Sequence, residues 1–146
     1  MIRQGAELFD ELVVVLAVNP EKQPFLRAED RCAALQEMVA AAGLTGRVRV
    51  EQVAQGFLVD FAKAAGASCL LRGVRNSKDW EYEKTMARMN ARMESGIRTV
   101  FLMPPSELEE ISSSLVRGFV GLPGWERWVR ACVPPAVFAR MAQLYQ

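Results

Sequence analysis

The sequence predicts an α/β fold, in which a parallel sheet carries helices on both faces of a single domain, residues 1–146. Short apolar runs alternate with longer helix-like segments along the whole chain, and this alternation is typical of parallel sheets. The first apolar run, Leu12–Val18, is continuous and rich in valine, as expected of a strand covered on both faces. A chain of 146 residues is long enough to bury a sizeable core.

Each further element has its own sequence signal. Glycines that follow apolar-periodic segments predict helix ends at Gly43, Gly66 and Gly96. Ser77 and Asp79 are candidate N-caps for the longest helix. After the tail of a helix at Met1–Phe9, these signals predict strands at 12–18, 48–53, 68–71 and 99–103, and helices at 28–42, 57–65, 77–94, 112–120, 125–133 and from Pro134–Pro135 to Leu144.

Composition excludes several classes of function. The net charge is +1, from 18 basic and 17 acidic residues, so no broad basic field for nucleic acid is expected. Histidine is absent, which excludes His-based metal sites and Ser-His triads, and we predict no metal ligands in the protein. The three cysteines lack CxxC spacing, so we expect buried free thiols in a reducing cytoplasm. The opening residues do not resemble a signal peptide, and the longest apolar run is too short to span a membrane.

The residues that follow each predicted strand are candidates for ligand binding, because open α/β sheets bind ligands at the carboxyl ends of their strands. Lys22 follows the first strand, between Pro20 and Pro24. A lysine there is suited to neutralising a phosphate as a mobile point charge, although an isolated loop lysine is more often simply solvated.

Two arginines flank a glycine after the third strand, in Leu71–Arg75 (LRGVR). Each guanidinium offers a fork that matches phosphate oxygens, and Gly73 permits a close backbone approach or a positive φ. Two cations this close repel each other, which favours a polyanion between Arg72 and Arg75, although an exposed loop with two unpaired arginines is equally compatible. Glu83 lies in the opening turns of the following helix, eight residues after Arg75, and is expected near Arg75 or near a ribose.

Three serines, Ser112–Ser114, open the helix that follows the fourth strand. Hydroxyls and free backbone N–H groups at the positive end of a helix form a ready site for phosphate, with Arg117 one turn further on. A simple N-cap needs only one of these serines. The sequence contains neither a GxGxxG fingerprint nor a GxxxxGK[ST] loop, so any nucleotide must be held by scattered arginines, lysines and helix N-termini.

These motifs occur in the same order and spacing in bacterial phosphopantetheine adenylyltransferases, which the sequence resembles from Ile2 to about Tyr145. The motifs that carry the resemblance are Asn19–Phe25 (NPEKQPF), Phe61-Ala62, Leu71–Arg75 (LRGVR), Asp79–Glu83 (DWEYE) with Met89-Asn90, Val100–Pro104 (VFLMP) and Ile111–Arg117 (ISSSLVR). Each motif is weak alone, but their joint order is specific.

The resemblance implies a Rossmann-like nucleotidyltransferase fold and the reaction of ATP with 4′-phosphopantetheine to give dephospho-coenzyme A and pyrophosphate. It also implies Mg²⁺ accompanying ATP, a homohexamer built as a dimer of trimers, and coenzyme A as a candidate product-type inhibitor. By position, Lys22 and Arg75 would be catalytic. Phosphopantetheine would be bound by Lys22, Leu58 and Arg72, and ATP by Gly73, Val74, Arg75, Glu83, Leu108, Glu109, Glu110, Ile111, Ser112, Ser113 and Ser114.

The sequence departs from the family pattern at two places. The loop before the serines usually carries an aromatic residue, whereas here it reads Leu108–Glu110 (LEE). The family opens with a central strand and a GxFDPxxxGH-type loop, for which this sequence has no counterpart and no histidine. We therefore expect a domain truncated at its N-terminus that folds poorly and is impaired or inactive, because unpaired strand edges and the missing loop weaken both stability and chemistry.

Three interpretations remain open from the sequence. The first is an adenylyltransferase whose chain is short at the N-terminus. The second is a catalytically dead remnant that binds phosphopantetheine or coenzyme A, or that only joins oligomers. The third is a nucleotidyltransferase of the same superfamily with another substrate, such as a nicotinate or glycerol-phosphate nucleotidyltransferase. The Lys22 loop and the Leu71–Arg75 motif favour pantetheine over these other substrates.

Overall fold

A computed structural model of the chain describes residues 1–17, 24–53 and 56–145. Strands and helices alternate through most of the chain, and the last part is helical, so the predicted α/β class is confirmed. The strands are β1 (Leu12–Ala17), β2 (Val48–Val53), β3 (Cys69–Gly73) and β4 (Arg98–Leu102). The helices are α1 (Ile2–Leu8), α2 (Ala28–Ala41), α3 (Leu58–Ala64), α4 (Ser77–Met93), α5 (Ser113–Phe119), α6 (Trp125–Cys132) and α7 (Pro135–Gln143), with one 3-10 turn at Ser106–Leu108.

The strands pair in parallel, as predicted, but in the described residues they form two pairs and not one continuous sheet. β1 pairs with β2, with Val14 opposite Val50, and β3 pairs with β4, with Leu71 opposite Val100. Among the described residues, β1 and β3 each pair along one edge only. Residues of β1, β3 and α3 line one groove of about 550 Å³, which lies between the β1–β2 pair and the β3–β4 pair. The sheet is split because no described segment lies between β1 and β3 to continue the hydrogen-bond ladder.

Helix α1 connects the two strand pairs. A Cβ at Gly5 would lie 2.8 Å from the Leu71 side chain in β3 and 3.1 Å from the Leu12 side chain in β1, so a larger residue here would require these leucines to shift. At the end of α1, the Arg47 guanidinium donates to the carbonyl oxygens of Ala6 at 2.7 Å and Phe9 at 2.9 Å. These bonds satisfy carbonyl groups that a helix C-terminus leaves free, and they tie α1 to the start of β2.

In residues 1–17, 24–53 and 56–145 the apolar core forms three clusters. One lies between α1, α2 and β2, around Ala6, Val39 and Val48. The second joins α3 to the second strand pair through buried side chains of α3, β3 and the residue before β4. The third holds the C-terminal helices together, and its buried members are Leu26, Val116, Trp125, Val129, Phe138 and Met141. Because Val116 belongs to α5, this last cluster also anchors the helix that the three serines open.

Several local predictions need correction. The N-cap of α4 is Asn76, whose side chain accepts a hydrogen bond from the Asp79 N–H at 2.9 Å, and not Ser77 or Asp79. Strand β3 continues through Gly73, so Arg72 lies within the strand and not after it. The cysteines are free, as predicted, but they are half-buried and not buried. No helix within the described part of the chain is long and apolar enough to cross a membrane.

Candidate functional site

A cavity of about 710 Å³ lies where the segments after β3 and β4 meet the start of α4. This position follows from parallel pairing, which brings the carboxyl ends of neighbouring strands to the same edge. Charged and hydroxyl side chains line most of the cavity, as expected of a site for a small polar ligand. The lining residues are Arg75, Asn76, Lys78, Asp79, Tyr82, Glu83, Glu109, Glu110, Ser112 and Ser114.

An ion pair joins this cavity to the groove between the strand pairs. Arg72 lines the groove and Glu83 lines the cavity. Nε and Nη2 of Arg72 each donate to one carboxylate oxygen of Glu83 at 2.7 Å, in a bidentate arrangement. The hydrogen bonds to Glu83 raise the pKa of Arg72 above its usual value. Glu83 is the one charged residue that is buried in the described part of the chain, and Arg72 compensates its charge.

Arg75 extends across the cavity between α4 and the segment that precedes α5. Its Nε donates to Asp79 Oδ2 at 2.8 Å, and its Nη1 donates to the Ile111 carbonyl oxygen at 3.2 Å. The hydrogen bond from Arg75 lowers the pKa of Asp79, and the same contact raises the pKa of Arg75. A carboxyl group with a lowered pKa stabilises the fold above its unfolded pKa, and this contribution is lost as the pH falls through the folded value.

The three serines have different roles in the structure. Ser112 is the N-cap of α5, and its hydroxyl accepts from the Leu115 N–H at 3.1 Å. Ser113 is the first helical residue and is exposed. The Ser114 hydroxyl accepts from Nη2 of Arg117 at 3.2 Å, so Arg117 reaches back to the start of the helix. Ser112 and Ser114 line the cavity.

The residues predicted for phosphopantetheine lie apart from most of those predicted for ATP. Leu58 and Arg72 both line the groove between the strand pairs, whereas Arg75, Glu83, Glu109, Glu110, Ser112 and Ser114 line the cavity. Lys22 lies outside the described residues. Of the other residues predicted for ATP, Gly73 lies against the Met1 side chain and Val74 is buried. Leu108 is exposed, and Ile111 contributes its carbonyl group to the contact with Arg75.

The sequence predicted a polyanion between Arg72 and Arg75 from their mutual repulsion, and this basis for the prediction is wrong. Arg72 and Arg75 do not depend on a polyanion to offset their repulsion, because each has its own carboxylate partner, Glu83 and Asp79. Nor does Gly73 adopt a positive φ. The sequence interpretation also missed four residues that line the cavity. The i, i+4 spacing of Arg75 and Asp79 was an available signal for one of them, and the others, Asn76, Lys78 and Tyr82, lie on the first turns of α4 and its N-cap.

Several carboxylates line the site, and their arrangement bears on metal binding. Within residues 1–17, 24–53 and 56–145, no group of three or more His, Cys, Asp or Glu side chains is arranged to hold a metal ion. Carboxylate oxygens of Glu109 and Glu110 are nevertheless the hard ligands that Mg²⁺ prefers, and both residues line the cavity.

Comparison with known proteins agrees with this architecture. A family profile described as cytidylyltransferase-like matches residues 1–119. A phosphopantetheine adenylyltransferase of Chromobacterium violaceum is 39% identical over 145 residues, which cover 99% of this chain and 87% of that protein. One from Neisseria meningitidis is 36% identical over 146 residues, covering 100% of this chain and 84% of that protein. One from Clavibacter michiganensis is 39% identical over 143 residues, which cover 97% of this chain and 87% of that protein. With identities at this level over nearly its whole length, the chain belongs to the phosphopantetheine adenylyltransferase family.

Proposed function

We propose that the protein transfers the adenylyl group of ATP to 4′-phosphopantetheine, giving dephospho-coenzyme A and pyrophosphate. The observation that carries this proposal is the placement of two neighbouring cavities that meet at the Arg72–Glu83 ion pair. In the reaction, an oxygen of the pantetheine phosphate attacks the α-phosphorus of ATP. The bond from the α-phosphorus to the bridging oxygen breaks, and pyrophosphate leaves with that electron pair. Such a step needs alignment and charge neutralisation more than covalent participation.

ATP is proposed to occupy the cavity at the start of α4. Arg75 and the serine-opened helix supply hydrogen-bond donors for the phosphates, and Lys78 adds a further positive charge at the cavity wall. Arg75 is proposed to be catalytic, because its guanidinium is suited to neutralising the negative charge that develops on the transferring group. The backbone of Gly73 and Val74 leads into the cavity from β3 and completes this side of the site.

Phosphopantetheine is proposed to bind beside Arg72, where the groove meets the cavity. Arg72 lies at the end of the groove nearest the cavity through its contact with Glu83, which suits it to the phosphate of this substrate. Leu58, at the start of α3, is proposed to offer an apolar surface to the pantetheine arm. Lys22, which lies outside the described residues, is proposed to steady the nucleophilic phosphate as a mobile cation.

Mg²⁺ is proposed to enter with the triphosphate. Four carboxylates line the cavity, Asp79, Glu83, Glu109 and Glu110, and they would repel free ATP. Bound Mg²⁺ lowers the charge of the triphosphate and polarises its oxygens. Glu109 and Glu110 are proposed to contact such an ion, because Asp79 and Glu83 already have arginine partners.

Replacing Asp79 with asparagine should increase the affinity for ATP. In the structure, Asp79 occupies Arg75 and carries a negative charge into the cavity. Removing that charge frees the guanidinium for phosphate, so we expect roughly two- to fivefold tighter binding at low salt, from Coulomb repulsion at a solvated site. Calorimetry with ATP and Mg²⁺ measures the effect.

Glu81→Gln is the matched control for this experiment. Glu81 lies on the same helix and pairs with Lys84 at 2.7 Å, but it does not line the cavity. This variant should bind ATP as the parent does. Weaker binding by Asp79→Asn alone would contradict the prediction, because it would mean that Asp79 orients Arg75 for phosphate and does not compete with it.

Replacing Ser113 with proline should weaken ATP binding about tenfold without unfolding α5. The change removes one N–H donor, and a hydrogen bond to a charged group contributes on the order of 1.5 kcal/mol or more. Proline is compatible with the first helical position, and Ser112 already has the extended φ of −132° and ψ of 156° that proline requires of its preceding residue. Titration with ATP checks the affinity, and circular dichroism checks the helix.

Ser113→Ala separates the contribution of the hydroxyl from that of the backbone N–H to the proposed contact with ATP, because it removes the hydroxyl and keeps the N–H. We expect it to bind ATP more tightly than Ser113→Pro. If the proline variant keeps the affinity of the parent, the serines serve only to cap α5.

A pyrophosphate-release assay tests the proposed reaction directly. ATP with 4′-phosphopantetheine should give pyrophosphate and dephospho-coenzyme A, whereas nicotinate mononucleotide or glycerol 3-phosphate should give none. Release with one of the latter substrates alone would identify a different nucleotidyltransferase. Binding of phosphopantetheine without turnover would identify the catalytically inactive alternative. Either result would overturn the proposal.

The family membership also supports proposals about assembly, regulation and location. We propose a homohexamer, inhibition by coenzyme A as a product-like ligand, and a cytoplasmic location in which the three free cysteines stay reduced. Measurement of the mass in solution tests the homohexamer. Competition between coenzyme A and dephospho-coenzyme A for the protein tests the proposed inhibition.

A further inference from the structure

A row of four aromatic rings connects Phe25 to the C-terminal core. The Phe25 ring stacks on the Tyr145 ring, with 5.9 Å between the centroids and 15° between the ring planes. Tyr145 meets Trp125 edge-on at 5.8 Å, and Trp125 lies 6.1 Å from Phe138. Trp125 and Phe138 are buried, whereas Tyr145 is 51% exposed. Tyr145 is therefore the link at the surface that joins the Phe25 ring to the two buried rings.

The Tyr145 ring contributes more to holding Phe25 than to filling the core. The Tyr145 N–H donates to the Ala142 carbonyl oxygen at 3.3 Å, so the turn that follows α7 fixes the position of this residue. Half of the side chain faces solvent, which limits what it adds by burial alone. Aromatic pairs are stabilising beyond the area that they bury, because their geometry is specific. The stack on Phe25 is therefore the contact that distinguishes Tyr145 from the buried residues of the cluster.

Phe25 lies three residues after Lys22, the lysine proposed to steady the phosphate of the acceptor substrate. Three residues span about 10 Å at most, so a fixed Phe25 confines Lys22 to a small region. Pro24 directly precedes Phe25, and its fixed φ removes part of the backbone freedom between the two. On the other side of Phe25, Leu26 is a buried member of the C-terminal cluster. The anchor thus consists of described residues, and it acts on Lys22, which lies outside them, through the covalent chain.

We propose that Tyr145 is a positioning residue for the acceptor substrate: by holding Phe25, its ring keeps Lys22 where it binds the phosphate of 4′-phosphopantetheine. This inference rests on the proposed function, in which Lys22 contacts that phosphate. Without the stack, a smaller fraction of molecules has Lys22 in place, and the apparent affinity falls in proportion to that fraction. Neither Tyr145 nor Phe25 lines the candidate ATP cavity, so the effect is confined to the acceptor.

Calorimetry with each ligand separately tests the proposal. Tyr145→Ala should raise the Kd for 4′-phosphopantetheine roughly two- to tenfold, the range expected from the loss of one aromatic pair, and should leave the Kd for ATP within about twofold of the parent. Tyr145→Phe keeps the ring and should restore the affinity of the parent. Leu144→Ala shortens the neighbouring side chain, which is 57% exposed, and should bind both ligands as the parent does. Tyr145→Leu keeps an apolar contact with Trp125 but loses the stack, so it replaces Tyr145→Ala if that variant does not fold.

A double-variant cycle with Lys22→Ala separates positioning from a general loss of stability. If Tyr145 acts through Lys22, adding Tyr145→Ala to Lys22→Ala should cause no further loss of phosphopantetheine affinity, whereas independent effects would multiply. Equal losses for both ligands, a Tyr145→Phe variant as weak as Tyr145→Ala, or a full further loss in the Lys22→Ala protein would overturn the inference. So would a parent that binds phosphopantetheine no better than Tyr145→Ala does. A parent that binds ATP but no phosphopantetheine would instead overturn the proposed function, and this inference with it.

Discussion

Replacing Arg72 with alanine should weaken binding of 4′-phosphopantetheine about ten- to hundredfold and change ATP binding much less, whereas Arg75→Ala should do the reverse. The loss corresponds to one charged hydrogen-bond partner of a phosphate, on the order of 1.5–3 kcal/mol. The selectivity follows from position, because Arg72 lines the groove and Arg75 lines the cavity. Calorimetry with each ligand separately measures both effects.

The effect of Arg72→Ala on substrate binding must be separated from its effect on Glu83, so the variant is also made in a protein that carries Glu83→Gln. Removing Arg72 leaves a buried carboxylate without its bidentate partner, which destabilises the fold independently of any ligand. Glu83→Gln keeps the shape and removes the charge, so the comparison of Glu83→Gln with Arg72→Ala/Glu83→Gln isolates the contact with the substrate phosphate. Equal, small losses for both ligands in both arginine variants would contradict the division of the site into two cavities.

Replacing Phe138 with alanine should cost about 3–5 kcal/mol of unfolding free energy, as for other large-to-small changes in a packed core. The Phe138 ring lies 6.1 Å from the Trp125 ring in the C-terminal cluster, and the Arg130 guanidinium covers it at 4.3 Å. The cluster includes Val116 of α5. We therefore also expect weaker ATP binding, because α5 and its N-cap supply the two serines at the cavity wall, Ser114 and Ser112. Urea titration followed by fluorescence of the tryptophans measures the stability.

Phe57→Ala is the control for this change, since it removes the same atoms from a side chain that is 64% exposed. Its effect should stay within about 0.5 kcal/mol, as for surface substitutions away from special features. If the two variants lose similar stability, the C-terminal helices do not share the core described here.

The local elements could be predicted because their signals are local. The valine-rich run at β1 and the positive φ of Gly43 and Gly66, 69° and 70°, at the ends of α2 and α3 follow from residue type alone. The N-cap of α4 was assigned to the wrong residue because Asn76, Ser77 and Asp79 are all good capping residues and lie close together. The choice of partner for each strand could not be predicted from local signals, because strand pairing is set by contacts distant in sequence. Unpaired strand edges were expected only from the resemblance, since the family's central strand has no counterpart in this sequence.

The sequence predicted several residues that line the candidate site, but it did not predict which carboxylate pairs with which arginine. Arg75, Ser112 and Ser114 do converge on one cavity, as expected of segments that follow neighbouring parallel strands. The partner of Arg72 was missed because Glu83 is 11 residues away, across the end of β3 and the first turns of α4. No periodicity relates a strand residue to a helix residue, so only the packing of α4 on the second strand pair determines this contact.

The division into two strand pairs has a consequence for how the protein opens. Amide protons in β1–β2 and in β3–β4 belong to separate hydrogen-bond ladders, and different apolar clusters protect them. Each pair can therefore open as its own cooperative unit, at its own free energy, without breaking the ladder of the other. Native-state hydrogen exchange should then give two distinct sets of protection factors.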